Sequence, residues 1–337
     1  MLKRLEPDQC DWERMDAFDD RVLFQTREWL EFVARTQGAE PVVAEVLAGA
    51  GVVGYFTGAI IRRFGIPILG SPAPGWTTES MGFNLMPEIS RRAAAQALLR
   101  FAFGPLRCLH LELKDRQLAP GALAGLGFVQ EPGILLEVDL APDEDAIFAR
   151  MTSACRRAVR RGEKVGVTVQ EAGGEDFADE YYAQLEEVFA RQSLSPTYGV
   201  ERVRELIRRL HPTGRLLLLR AVGPKGEPMA TGVFPAMNGT AYFWGGASWR
   251  RHQVLRPNEA LFWYAMRYWR ARGMKRMDLG GGGVYKRRYG PAEHNIASFR
   301  ISRVAGLGKL RELARHGASV RQRLRRHSRF DGAAGGG

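Results

Sequence analysis

Two apolar runs joined by Asn238–Gly239 constrain this chain more than any other stretch of it. Met229–Met237 and Thr240–Ser248 both read as strands. The two residues between them tolerate the positive φ of a tight turn, so the pattern specifies an antiparallel hairpin. A basic loop, Arg250–Arg256, follows, and Pro257–Asn258 open an apolar helix over Ala260–Trp269. Proline suits a first helical turn, where its missing N–H costs nothing. A short strand, Arg276–Leu279, then runs into Gly280–Gly283 and the segment Val284-Tyr285-Lys286-Arg287-Arg288-Tyr289-Gly290. Strand, strand, loop, helix, strand, glycine turn and cationic segment make the order of a ligand-binding core.

The rest of the chain is organised around it. With 337 residues there is room for two domains. Residues 1–141 read as an α/β unit: a helix near Asp11–Asp20, another over Thr26–Thr36 capped by Thr26, and a hairpin from Pro41–Leu47 into Val52–Ile61. A strand at Ile66–Leu69, a helix over Ile89–Phe103 and strands at Leu109–Leu113 and Ile134–Leu140 complete it, with a short helix expected at Gly121–Leu126. Residues 142–305 repeat the order: a basic helix at Cys155–Lys164, a strand, a helix pair, the hairpin, a helix and a last strand at Ser298–Val304. The repetition points to a diverged tandem duplication. Residues 306–337 form a basic helix and a glycine-rich tail.

Composition narrows the function. The net charge of +12 favours anionic partners, and it is concentrated in Arg156–Lys164 and Lys309–Arg329. No apolar run approaches the ~20 residues that cross a bilayer, and Glu6-Pro7-Asp8 stand where a signal peptide would be apolar. Three scattered cysteines, Cys10, Cys108 and Cys155, give neither a disulfide framework nor a metal spacing. A reducing, cytoplasmic location is expected, at the inner face of the membrane if the basic tail meets anionic lipid. The Walker, dinucleotide, zinc-protease and nucleophile-elbow patterns are missing. Nucleotide hydrolysis, metal hydrolysis and hydride transfer therefore lack support, and no bound cofactor or metal is expected.

The candidate site gathers around Asp278. It ends a strand that should be buried, so its carboxylate either caps the glycine turn or deprotonates an amine nucleophile. Lys286, Arg287 and Tyr289 are candidates to hold an anionic or phosphorylated substrate. Tyr242 and Trp244 share one strand face and are assigned to the same substrate, with Asn258 and Tyr198. Arg250, Arg251 and Arg256 are the candidate donor-binding residues.

Trp244-Gly245-Gly246-Ala247-Ser248, Arg256-Pro257-Asn258, Asp278-Leu279-Gly280-Gly281 and Lys286 to Tyr289-Gly290 resemble the C-terminal half of the Fem-type transferases, the FemAB-like branch of the GNAT acyltransferase superfamily. Phe24-Gln25-Thr26-x-x-Trp29 resembles that family's opening pattern. The resemblance implies an α/β (α+β) fold of two tandem GNAT-like domains, each a mixed twisted sheet flanked by helices, with a cleft between them. It implies transfer of an acyl or aminoacyl group to an amine of a cell-envelope precursor, with acyl-CoA or aminoacyl-tRNA as cosubstrate. It places Asp278 beside the reacting amine, Lys286 on the acidic substrate and Asn258 below the donor channel. The glycines of the usual acyl-CoA cradle are missing from Arg251–Arg256, so the donor stays open between coenzyme A and tRNA. DNA is not an expected partner, and the chain is expected as a monomer or dimer. Two alternatives stand beside this reading: an acyl-CoA-dependent N-acyltransferase of a small-molecule, lipid or polysaccharide amine, and a non-catalytic polyanion-binding module.

Overall fold

The computed structural model describes residues 1–304. The basic tail Lys309–Arg329 lies outside the described residues. The N-terminal unit runs β1 (Leu2–Leu5), α1 (Trp12–Asp16), α2 (Arg27–Gln37), β2 (Glu40–Ala48), β3 (Gly51–Arg63), β4 (Ile66–Ser71), β5 (Gly82–Leu85), α3 (Arg91–Phe103), β6 (His110–Leu113) and β7 (Val129–Asp139). Two helices follow, α4 (Glu144–Arg150) and α5 (Ser153–Lys164). The C-terminal unit then repeats the order with β8 (Thr168–Ala172), α6 (Asp176–Ala190), α7 (Val200–Leu210), β9 (Leu216–Val222), β10 (Pro228–Met237), β11 (Thr240–Tyr242), β12 (Gly245–Ser248), α8 (Pro257–Ala271), β13 (Arg276–Asp278) and β14 (Ala292–Ser302).

All of these strands join one sheet in the order β1-β2-β3-β4-β6-β14-β7-β13-β11-β10-β9-β8, with β5 on β3 and β12 on β10. The order is a palindrome about the β14–β7 pair. Each unit carries one parallel pair, β4 with β6 and β11 with β13. The last strands are exchanged: β7 pairs with β13, and β14 pairs with β6. A division at residue 141 therefore splits the chain into its repeats without splitting the sheet.

Local sequence explains the elements that frame the site. Asn238 and Gly239 take φ of 48° and 74°, and the hairpin they turn pairs Met237 with Thr240. Thr26 caps α2 by accepting from Trp29 N at 3.3 Å, and Trp29, Leu30, Phe32 and Val33 are buried against α7. Thr152 caps α5, which buries Cys155, Ala158, Val159 and Gly162 and leaves Arg157, Arg160 and Arg161 outside. The hydrophobic cluster under α2, α6 and α7 draws residues from both units. Asn238 adds a polar tie, donating from Nδ2 to the carbonyls of Asp19 at 2.8 Å and Arg21 at 3.1 Å.

Three elements differ from the sequence expectation. Thr240–Ser248 is two strands, because β11 follows β13 while β12 turns away to pair with β10. β5 is a strand that its Gly-Phe-Asn-Leu sequence hardly signals, held by pairing with β3. Gly121–Leu126 forms turns instead of a helix, with Gly121 and Gly125 at positive φ.

Candidate active site

The break between β11 and β12 creates the site. Phe243 N–H donates to Asp278 O at 2.8 Å, the last bond between the two strands, and Trp244 N–H already turns to Val233 O at 3.1 Å. Beyond that point β12 and the chain after Asp278 diverge. A Cβ on Gly245 would come within 2.4 Å of the Tyr181 hydroxyl, so this strand start requires glycine. Phe243 fills the fork and lines a cavity on each side of the sheet.

The first cavity, about 420 Å³, lies between the units. The Pro72–Thr78 loop, Glu79 and Lys114 of the N-terminal unit face Tyr242, Trp244, Asp278, Gly280, Gly281 and Lys286 of the C-terminal unit. Glu79 pairs with Lys114. Asp278 is buried; its Oδ1 accepts from Gly280 N at 2.7 Å and its Oδ2 from Arg116 Nη1 at 3.1 Å. Arg116 also grips Glu137 on β7. Burial and the nearby Glu79 carboxylate push Asp278 up to about 6, against the opposing pull of Arg116. Asp278 thus caps the glycine turn, one of the two sequence readings, and its raised proton affinity is compatible with the other, a base near neutral pH.

Lys286 donates to the carbonyls of Leu279 and Gly281, the latter at 3.3 Å, and its ammonium lies 5.6 Å from the Phe243 ring centre. Burial lowers its pKa, opposed by Glu79 and Asp278. Tyr242 and Trp244 line the same cavity, buried. Among the described residues neither the Tyr242 hydroxyl nor Trp244 Nε1 has a hydrogen-bond partner of good geometry, although Thr240 is near enough to the Tyr242 hydroxyl to oppose its pKa rise. Buried donors without partners are uncommon and point to a bound acceptor. Burial raises the Tyr242 pKa, which keeps that hydroxyl a donor.

The second cavity, about 350 Å³, lies on the other side of Phe243. Phe243, Phe262 and Tyr289 build its apolar wall, with Tyr289 stacked on Phe262 at 4.4 Å. Arg191, Arg256 and Arg288 supply its charge. At the start of α8, Arg256 is left-handed, with φ of 64°, and Pro257 has no N–H to offer. The buried Glu259 carboxylate in that first turn takes Arg288 Nη1 at 2.6 Å. Such a turn has less to give a pyrophosphate than a glycine-rich one.

The structure redistributes the sequence candidates. Asp278, Lys286, Tyr242 and Trp244 meet in the inter-unit cavity. Tyr289 and Asn258 instead line the second cavity; Tyr289 is core packing there, and Asn258 donates to Ser248 Oγ at 3.1 Å. Arg287 points away, to an ion pair with Glu293, because three successive cations on one turn cannot share a direction. Tyr198 lines neither cavity; its hydroxyl meets that of Tyr181 at 3.1 Å, and its ring packs 5.8 Å from Trp244. Of the three donor arginines only Arg256 lines a cavity. Arg251 lies over Trp249 at 4.9 Å, and Arg250 uses its main-chain N–H on Glu187. Sequence reasoning missed Arg116, Glu79, Lys114 and Arg191, which reach the site from distant segments.

The matching fork of the N-terminal unit is closed. Asp115 follows β6, and its Oδ2 accepts from Phe83 N at 2.9 Å and from Arg91 Nη1 at 2.7 Å. Arg91 at the start of α3 also pairs with Asp20. A Cβ on Gly82 would fall 2.5 Å from Asp115 Oδ2, so the carboxylate occupies the gap.

A strand that forks from its parallel neighbour beside a helix start belongs to one known kind of domain, and residues 149–289 match the family model described as acetyltransferase (GNAT) domain. Residues 149–289 of this chain are therefore a GNAT domain. No curated protein matches its sequence. Among solved structures it is similar to FemX, at 14% identity and a TM-score of 0.74, covering 91% of this chain and 99% of FemX. It is similar to L-PGS from Bacillus licheniformis at 14% identity and a TM-score of 0.54, covering 89% and 96%. A tandem GNAT protein from the clavulanic acid biosynthesis pathway matches at 14% identity and a TM-score of 0.56, covering 90% and 98%. These likenesses, which cover 89–91% of the chain, show a fold like that of FemX and the tandem GNAT protein. Among the described residues no helix is long and apolar enough to cross a membrane.

Proposed function

We propose that the chain joins an acyl or aminoacyl group to a primary amine of a cell-envelope precursor, with acceptor and donor entering from opposite sides of Phe243. The single observation that carries this reading is the pair of cavities sharing that ring. The inter-unit cavity takes the acceptor: Glu79 and Asp278 attract its ammonium, while Lys114 and Lys286 suit an acidic group elsewhere on it. The arginine-lined cavity takes the donor.

Asp278 takes one proton from the acceptor's ammonium, and the neutral amine attacks the donor carbonyl to form the C–N bond. The tetrahedral intermediate then breaks the bond to the coenzyme A sulfur or tRNA ribose oxygen, which leaves with the second amine proton. The main-chain N–H groups of Phe243 and Trp244 at the fork are both committed and do not serve the oxyanion. The unpartnered Trp244 Nε1 and Tyr242 hydroxyl are the donors available instead. The protein's other contribution is to hold the two reactants in contact.

The first turn of α8, with Pro257 and a buried Glu259, favours a donor gripped by arginines, as an aminoacyl-tRNA end would be, over a pyrophosphate seated on the helix. The GNAT family model, described by its acetyltransferase activity, favours acyl-CoA as the second reading. Purified protein incubated with a lysine-containing peptidoglycan precursor and either acetyl-CoA or aminoacylated tRNA decides between them. Amide product from the tRNA alone supports the proposal, product from acetyl-CoA alone supports the second reading, and product from neither with any tested amine overturns both.

A further inference from the structure

The hairpin between β3 and β4 ends in an arrangement that folding does not require. Arg63 pairs with Ile66, so Phe64 and Gly65 form a two-residue turn. Both have positive φ, 52° and 77°. Such turns favour Asn, Asp or Gly at the first position, and a bulky residue there is strained. Phe64 is also 99% exposed. It gains no burial to offset the strain. Arg62 and Arg63 beside it are exposed, and neither makes an ion pair among the described residues. Strain retained at a tip that presents an exposed aromatic ring directly after two exposed cations calls for a partner.

Their chemistry selects the partner. One apolar ring on an exposed hairpin tip, preceded by two cations, can insert among lipid headgroups while the guanidinium groups meet lipid phosphates. Single-stranded RNA is held differently, on several stacking rings along a cationic groove. The groove beside the tip, about 310 Å³, is short, and apart from the tip residues it is lined by Gln37, Gly38, Ile61 and Trp76. Trp76 also lines the inter-unit cavity. A surface touching Phe64 therefore lies on the acceptor side of the molecule.

We propose that the Arg62-Arg63-Phe64-Gly65 tip is an anionic-membrane contact that sets the acceptor cavity against the bilayer surface. It goes beyond the acyl-transfer reading and does not depend on it, since lipid binding is measured without turnover. The test is co-sedimentation of the full chain with vesicles of equimolar phosphatidylglycerol and phosphatidylcholine, and with phosphatidylcholine alone. Because the basic tail can also attract anionic lipid, the decisive quantity is the difference between variants that share that tail.

Phe64→Asn is expected to lower the partition into anionic vesicles about tenfold, from the lost apolar insertion. The same change should leave Tm equal or raise it by ~1–3 °C, because asparagine fits the turn. Arg62→Glu with Arg63→Glu should also lower partition at least tenfold, and more steeply at low salt. Unchanged partition in Phe64→Asn overturns the proposal. So does an unchanged partition accompanied by weaker tRNA binding in the same variants, which would make the tip a nucleic-acid contact.

Discussion

The two units repeat one another strand for strand, yet one fork is open and the other is plugged. In the C-terminal unit β12 swings off β13 and leaves a cavity walled by Phe243, Phe262 and Tyr289 and charged by Arg191, Arg256 and Arg288. In the N-terminal unit the equivalent gap holds the Asp115 carboxylate, tied to Phe83 N and Arg91. The hollow outside that plug is bordered by Asp19 and Asp20 and, in equal number, by Arg14 and Arg91. A phosphate-bearing donor is favoured by the first arrangement, with three arginines against Glu259, over the second, whose charges balance. The family model, which matches residues 149–289, falls on the open unit. On the proposed reading the duplicated fold keeps one donor fork, while the other unit supplies the far wall of the inter-unit cavity through Glu79, Lys114 and the Pro72–Thr78 loop.

The comparison can be broken or sharpened by substitution. The largest effect is expected at Asp278. Asp278→Asn removes the base and should lower kcat by ~10²–10⁴-fold, measured at saturating acceptor, with donor binding retained. The wild type should lose kcat/KM tenfold per unit as pH falls below about 6, where Asp278 takes up a proton, and the Asn variant should lack that limb. The sign for stability is opposite. The folded pKa lies above the unfolded one, so protonation below about 6 favours the folded state through this group, and lost activity there would not reflect unfolding.

Next comes the plug. Arg91→Ala leaves the Asp115 carboxylate buried without its cation and should cost roughly 3–5 kcal/mol of stability by denaturant titration. No second donor site should appear. If one does, the plug is what separates the units. Gly245→Ala presses on the Tyr181 hydroxyl and should cost about 1–3 kcal/mol, with kcat falling further than stability alone explains. The smallest effect is expected at Lys286, where alanine should raise the acceptor KM several-fold while kcat changes less. An unchanged KM would remove Lys286 from acceptor binding.

Much of this architecture is legible in the sequence because local signals agree. Asn238–Gly239 fixes the hairpin, Pro257 begins α8, Thr26 caps α2, and the repeated order of elements gives the tandem fold. The site is legible only where it is contiguous: Asp278, Lys286, Tyr242 and Trp244 lie on one strand pair and its loop. Arg116 and Glu79 are silent, since only the pairing of β13 with β7 and the exchange of β14 bring the N-terminal unit against Asp278. The fork itself leaves a faint trace, two glycines after Trp244 in an otherwise apolar run. Arg287 misleads for a physical reason: adjacent charges read as one patch in sequence, but the turn sends Lys286 inward and Arg287 out to Glu293.

The central claim is a single donor site per chain, in the C-terminal fork. Isothermal titration of the full chain with acetyl-CoA and with an aminoacylated tRNA minihelix, repeated on Asp278→Asn and on Arg191→Glu with Arg256→Glu, tests it most directly. The account predicts one site for whichever donor binds, kept at wild-type affinity in Asp278→Asn and weakened at least tenfold in the double arginine variant. Two sites per chain, or a donor affinity indifferent to Arg191 and Arg256, would contradict it.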